Sequence, residues 1–311
     1  MNRSTRHLAG GLAFLLACVG DVRALGAQRA MAARGDSLLR AGNAAAAEAH
    51  FYEALRRRPR DPGARLALGR YLAARGALKV GAVLMEEARF FGGDPREVAT
   101  ALAPVYLRIG DFRALSSLPS SPLGTVERAR AEWLRTNPTA ATGEDSTSIA
   151  YVPSDTGALG RVAITLGGQQ VEATIDPMAQ GLSIDPALAS AVRTFGTEDG
   201  AAVATSLRIG GIALANVPVK VEALGATRVR LGLDLLADLT PTFDTAARRL
   251  TLRRSKLATR APGAERIQTL FLPSGFFLIR AGRVRAFAQR DLRPATRWTV
   301  DGRRGEIVVA R

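Results

Sequence analysis

The chain has 311 residues, 47 % of them apolar, enough to pack cores over about two domains. One cysteine excludes an internal disulfide or a cysteine-based zinc site, and two histidines, His7 and His50, leave little for imidazole chemistry. Net charge is +15 with only three lysines among 43 basic residues, so the arginine bias reads as coding composition rather than as nucleic-acid recognition.

The N-terminus opens on the basic "MNRSTRH" followed by the apolar "LAGGLAFLLA". That run is too short to span a bilayer as a stable helix and reads as a secretory signal over 1–27. The expectation is export to the periplasm or membrane surface of a bacterial envelope. "LLAC" resembles a bacterial lipobox, which implies lipidation of Cys18 and membrane association through a lipid anchor. Cleavage after "ALGA", at Ala27, would give a soluble form instead, although Asp21 and Arg23 then precede the scissile bond.

Next, Gly42, Gly76 and Gly110 recur 34 residues apart in "LRAGN", "AARGA" and "LRIGD". That period predicts a helix-turn-helix solenoid over 28–135. In the first unit Ala47, Phe51, Ala54 and Pro59 resemble the tetratricopeptide-repeat pattern. Small residues let helices approach, Phe51 fills the gap, and Pro59 stops the second helix. Leu68, Gly69, Leu72, Met85 and Ala88 take matching places in the second unit, and the third keeps Leu102 and Tyr106. "TVERARAEWLR" predicts a capping helix. The resemblance implies a scaffold for peptides or protein partners. His50 lies inside this array with no nucleophile elbow near it, which excludes a Ser-His-Asp triad. The polar, turn-rich "TNPTAATGEDSTS" reads as a linker over 136–149.

The period then changes to two. "GRVAITLGGQQVEATID" predicts a strand, a Gly-Gly turn and a second strand ending at Asp176. "DPALASAVRTFG" predicts a short helix with Asp185 as N-cap, Pro186 at its first position and Gly196 past its end. A hairpin about Gly210-Gly211 follows, then "RLGLDLL" and "TFDTAARRLTL".

That order of segments, over about 150–255, resembles the retropepsin-like aspartic protease family. The fold class expected is therefore multidomain, a helical tetratricopeptide solenoid followed by an all-β retropepsin-like barrel. The resemblance places Asp176 at the catalytic aspartate, Leu231, Gly232 and Asp234 in the second signature, and "TFDTAARRLTL" in the closing hairpin. It also implies a peptide groove lined by Pro177, Met178, Ala179, Leu231 and Gly232.

The catalytic triplet departs from the family's Asp-Thr/Ser-Gly: Asp176 is followed by Pro177 and Met178. In the family two carboxylates share one proton, so that one acts as base on water and the other as acid. Pro177 lacks the hydroxyl that ties the two loops together, and Met178 fills space that the glycine leaves open. Each loss alone is expected to cost orders of magnitude in rate, since about 1.4 kcal/mol is already tenfold. Asp185 and the aspartate of "FDTA" read as a helix cap and a hairpin turn, so no second carboxylate is evident. One route to a dyad is a homodimer that joins two copies of Asp176.

Residues 253–311 hold 14 basic and 4 acidic residues, +10 of the net charge. "TVDGRRGEIVV" echoes "TFDTAARRLTL", so 256–311 reads as a basic β segment and the remnant of a second lobe. In that lobe "LFLPSGFFLI" would be the worn second loop, with Pro273 where an aspartate belongs. No cofactor or metal motif is found. The leading expectation is a non-catalytic envelope protein that binds peptides or protein partners. The alternative is an aspartic endopeptidase, dimeric through Asp176.

Overall fold

The computed structural model of the chain describes residues 33–118, 124–154, 157–192, 194–195, 200–254, 263–272, 274–292 and 295–310. The signal segment, Cys18, Gly196 and Pro273 lie outside them. The N-terminal half is helical: α1 (33–40), α2 (Ala44–Arg57), α3 (Pro62–Ala74), α4 (Leu78–Phe90), α5 (Pro95–Ile109), α6 (Phe112–Ser116) and α7 (Thr125–Thr136). Side-chain caps start four of them: Asn43 accepts from the Ala46 N–H, Asp61 from Ala64, Asp94 from Glu97, and Asp111 from Ala114. Gly42, Gly76 and Gly110 sit in the turns α1–α2, α3–α4 and α5–α6 at φ +79°, +86° and +72°, the left-handed region where a Cβ is strained.

Ala47 and Phe51 of α2 are buried against Leu68 and Tyr71 of α3. Met85 and Ala88 of α4 pack with Leu102 and Tyr106 of α5 and Leu134 of α7. Both clusters extend into the β structure: the first takes in Leu270 and Ile279, the second Val203.

The expected linker is structured. It forms β1 (Ala140–Gly143) and β2 (Ser146–Ala150), the two ends of different sheets. The side chains are small, polar and mostly exposed, so they carry no alternating pattern. Backbone and a few specific bonds hold them instead. Arg254 donates to the Ala141 carbonyl and to Asp145, both at 2.9 Å, and Thr147 Oγ1 accepts the Gly211 N–H at 3.0 Å.

The strands that follow are β3 (Val152–Pro153), β4 (Gly160–Leu166), β5 (Gln169–Asp176), β6 (Leu182–Ile184), β7 (Thr194–Phe195), β8 (Ala201–Ile209), β9 (Ile212–Val221) and β10 (Val229–Gly232). Six of them close a ring in the order β9, β6, β10, β5, β4, β8 and back to β9. Short helices α8 (Pro186–Ala191) and α9 (Leu233–Ala237) follow β6 and β10. Asp185 caps α8 by accepting the Ala187 N–H at 3.0 Å, and the helix ends before Val192, whose backbone is extended.

Beyond the ring come β11 (Thr242–Asp244), β12 (Arg249–Arg253), β13 (Glu265–Leu272), β14 (Gly275–Arg280), β15 (Arg283–Ala286), β16 (Arg297–Asp301) and β17 (Glu306–Ala310). With β2 they form one eight-stranded sheet, in which β11 pairs antiparallel with β16. Thr242 faces Thr299 there, with hydroxyls 2.8 Å apart, and the Val300 N–H bonds the Pro241 carbonyl. This register sets a local two-fold axis between the β11–β12 and β16–β17 hairpins. Asp244 accepts the Ala247 N–H in one turn, and Asp301 accepts that of Arg304 in the other. The C-terminal segment thus belongs to the same β body. Phe243 stacks on Trp298 at 4.2 Å, and the core beneath is continuous with that of the ring.

The helices dock on this body through two of their glycine turns. The Ala44 N–H bonds the Gly282 carbonyl, and the Val284 N–H bonds that of Gly42, so the α1–α2 turn lies along β15. Gly76 lies against the Gly302 carbonyl in the β16–β17 turn.

Tyr71 sits at this junction. It donates to Glu48 at 2.8 Å, and burial together with that carboxylate pushes its pKa up to about 12. Because the folded value lies above the unfolded one of about 10, the neutral phenol stabilises the fold fully below pH ~10. That contribution is lost as pH rises towards about 12. Tyr71→Phe is expected to flatten this alkaline loss of stability, as measured by denaturant unfolding at stepped pH.

Candidate functional site

Asp176 is the last residue of β5, level with Gly232 on the parallel strand β10. Pro177 turns the chain, and the Ala179 N–H returns to the Asp176 carbonyl at 3.2 Å. The Met178 N–H donates to Asp176 Oδ1 at 2.8 Å. Oδ2 lies 3.5 Å from Arg230 Nε, two residues before Gly232 on β10. Asp176 is therefore a single carboxylate held by an amide and a guanidinium. Its partners there are the Met178 amide and the Arg230 guanidinium.

The segment facing this loop is the one between β13 and β14. The Phe276 N–H donates to the Pro177 carbonyl at 2.8 Å, and Gln180 Nε2 donates to the Leu272 carbonyl at 3.0 Å. The Met178 side chain lies over Gly275, so close that a Cβ there would stand 2.8 Å from Met178 Cε. The facing segment reads Leu-Pro-Ser-Gly and contains no acid.

The expected groove is largely filled. Pro177, Leu231 and Gly232 are buried and Ala179 is half-buried, which leaves Met178 as the exposed member of the set. The physical reason is that Leu272, Gly275 and Phe276 pack on the loop. The space left between Pro177, Ala179, Asp234, Phe271 and Phe276 is about 10 Å³, room for one water.

Asp234 has a structural place. Its Oδ1 accepts the Gly181 N–H at 2.8 Å, which ties β6 to α9, and burial pushes its pKa up. Arg108, near the end of α5, opposes that shift and lies 4.9 Å over the Phe271 ring. A helix of the N-terminal half thus reaches the edge of the site. Neither Arg108 nor Arg230 stands out in the sequence, because arginines are spread along it with no motif to single these two out. No group of three or more His, Cys, Asp or Glu among the described residues is placed to hold a metal.

No protein-family model matches the chain, and no curated protein matches it. Among solved structures it is similar to a retropepsin-like aspartic protease from Rickettsia conorii, at 18 % identity and a TM-score of 0.28, over 37 % of this chain and 90 % of that one.

Proposed function

We propose that this is an exported tetratricopeptide-repeat protein whose retropepsin-like domain has lost its chemistry and binds peptides or protein partners at the bacterial envelope. The observation that carries the reading is the state of Asp176, bonded to Met178 N–H, set beside Arg230, and faced by a loop with no acid. A shared-proton dyad needs two carboxylates in contact. Binding would use strand addition rather than the filled loop. The terminal strands β1 and β2 suit that role, since each ends its sheet. The dimeric endopeptidase would need a second Asp176 in the place that the chain's own Leu272, Gly275 and Phe276 hold.

The purified protein is expected to show no pepstatin-sensitive cleavage of unfolded protein at about pH 4 to 7, where such a dyad works. Pro177→Thr with Met178→Gly restores the hydroxyl and the room, yet should stay silent for want of a second acid. Adding Pro273→Asp supplies that acid, and activity gained there should vanish with Asp176→Asn. Robust cleavage by the wild type that Asp176→Asn abolishes would overturn the reading.

A further inference from the structure

A groove of about 300 Å³ lies between α5, α6 and α7, away from Asp176. Ala103, Leu107, Leu115, Ala131 and Leu134 make its walls apolar. One cation, Arg130 of α7, also lines it. Burial lowers the pKa of this guanidinium, so its charge stands in a poorly solvated place. Nη1 donates to the Val219 carbonyl at 3.1 Å, and no other described group accepts from the side chain. A guanidinium has five N–H donors in a planar fork, so most of its capacity is unused. Glu127, one turn earlier on α7, lines the same groove and partly offsets the charge, but it forms no ion pair with Arg130 among the described residues.

Arg130 is half-buried, and its remaining donors are open to water or to an anion. Apolar walls beside it call for an apolar body on that anion. We propose that this groove binds a small amphipathic carboxylate, with its chain against Ala103, Leu107 and Leu134 and its head on the Arg130 fork. The site does not depend on the fate of Asp176.

The test is calorimetric titration of the full chain with straight-chain carboxylic acids of rising length and with the matching alcohols. Affinity should rise about fourfold per methylene until the groove is full. Each acid should bind at least about tenfold tighter than its alcohol, the usual worth of a charged hydrogen bond. Arg130→Met should erase that difference while leaving the alcohols unchanged. Leu107→Trp fills the groove, leaves Arg130 in place, and should weaken acids and alcohols alike. Acids and alcohols that bind equally, or a series that does not bind, would overturn the proposal. So would binding confined to peptides with an apolar C-terminal residue. If Arg130→Met does not fold, Leu107→Trp decides alone, and unchanged acid affinity in that variant refutes the site.

Discussion

Phe51→Ala is expected to cost about 3–5 kcal/mol, the usual loss for a buried phenylalanine, and to unfold helices and sheets in one transition. Phe51 is 1 % exposed and lies 5.7 Å from the Tyr71 ring. Its cluster runs on through Leu270 of β13 and Ile279 of β14, so the hole it leaves is felt in both halves. A division at 136–149 would let the helices melt alone. The structured β1 and β2 and the shared clusters argue for the joint transition. Thermal melts followed by far-UV dichroism for the helices, and by near-UV signals from the buried Trp298 for the sheet, should coincide. Two separated midpoints would refute this.

Gly76→Ala should be far more damaging than Gly110→Ala, although both residues have left-handed backbones. At Gly110 the nearest atom to an added Cβ is a Phe112 ring carbon at 4.0 Å, so only backbone strain is paid, roughly 1–2 kcal/mol. At Gly76 the Cβ would run into the Gly302 carbonyl, and a backbone carbonyl cannot rotate away. Overpacking adds about 1–3 kcal/mol to the strain, giving roughly 2–5 kcal/mol in all. Denaturant midpoints of the two variants measure the difference. Equal losses would mean that the α3–α4 turn does not bear on the β16–β17 turn.

These two glycines also mark how far the sequence could be read. Their 34-residue period was visible because a left-handed turn demands glycine at each repeat. What the Gly76 turn docks on was hidden, since Gly302 and Gly305 look like any hairpin glycines. The strands β4 and β5 and the α8 cap were legible from alternation and from Asp185-Pro186. β1 and β2 were not, because edge strands held by backbone and by Arg254 need no apolar pattern. At the candidate site, Asp176, Pro177 and Met178 announced themselves by their departure from a known triplet. Arg230 could be found only through the register that brings β10 beside β5. The burial of Pro177, Leu231 and Gly232 was hidden for a related reason. Nothing local in the sequence says that Leu272, Gly275 and Phe276 fold back onto that loop.

The docking of α1–α2 on β15 has a consequence for how the chain comes to be folded. The α1–α2 turn rests on a strand about 240 residues downstream, and β2 pairs with β12 about a hundred residues downstream. Contacts of such long sequence separation slow folding, because a large loop must close before they form. The helices that emerge first cannot bury Phe51 fully until β13 and β14 exist. A chain stopped near residue 255 would leave Phe243 without its Trp298 partner and the helical turns without their seat. The helical half therefore stays incompletely packed until those downstream strands have been made.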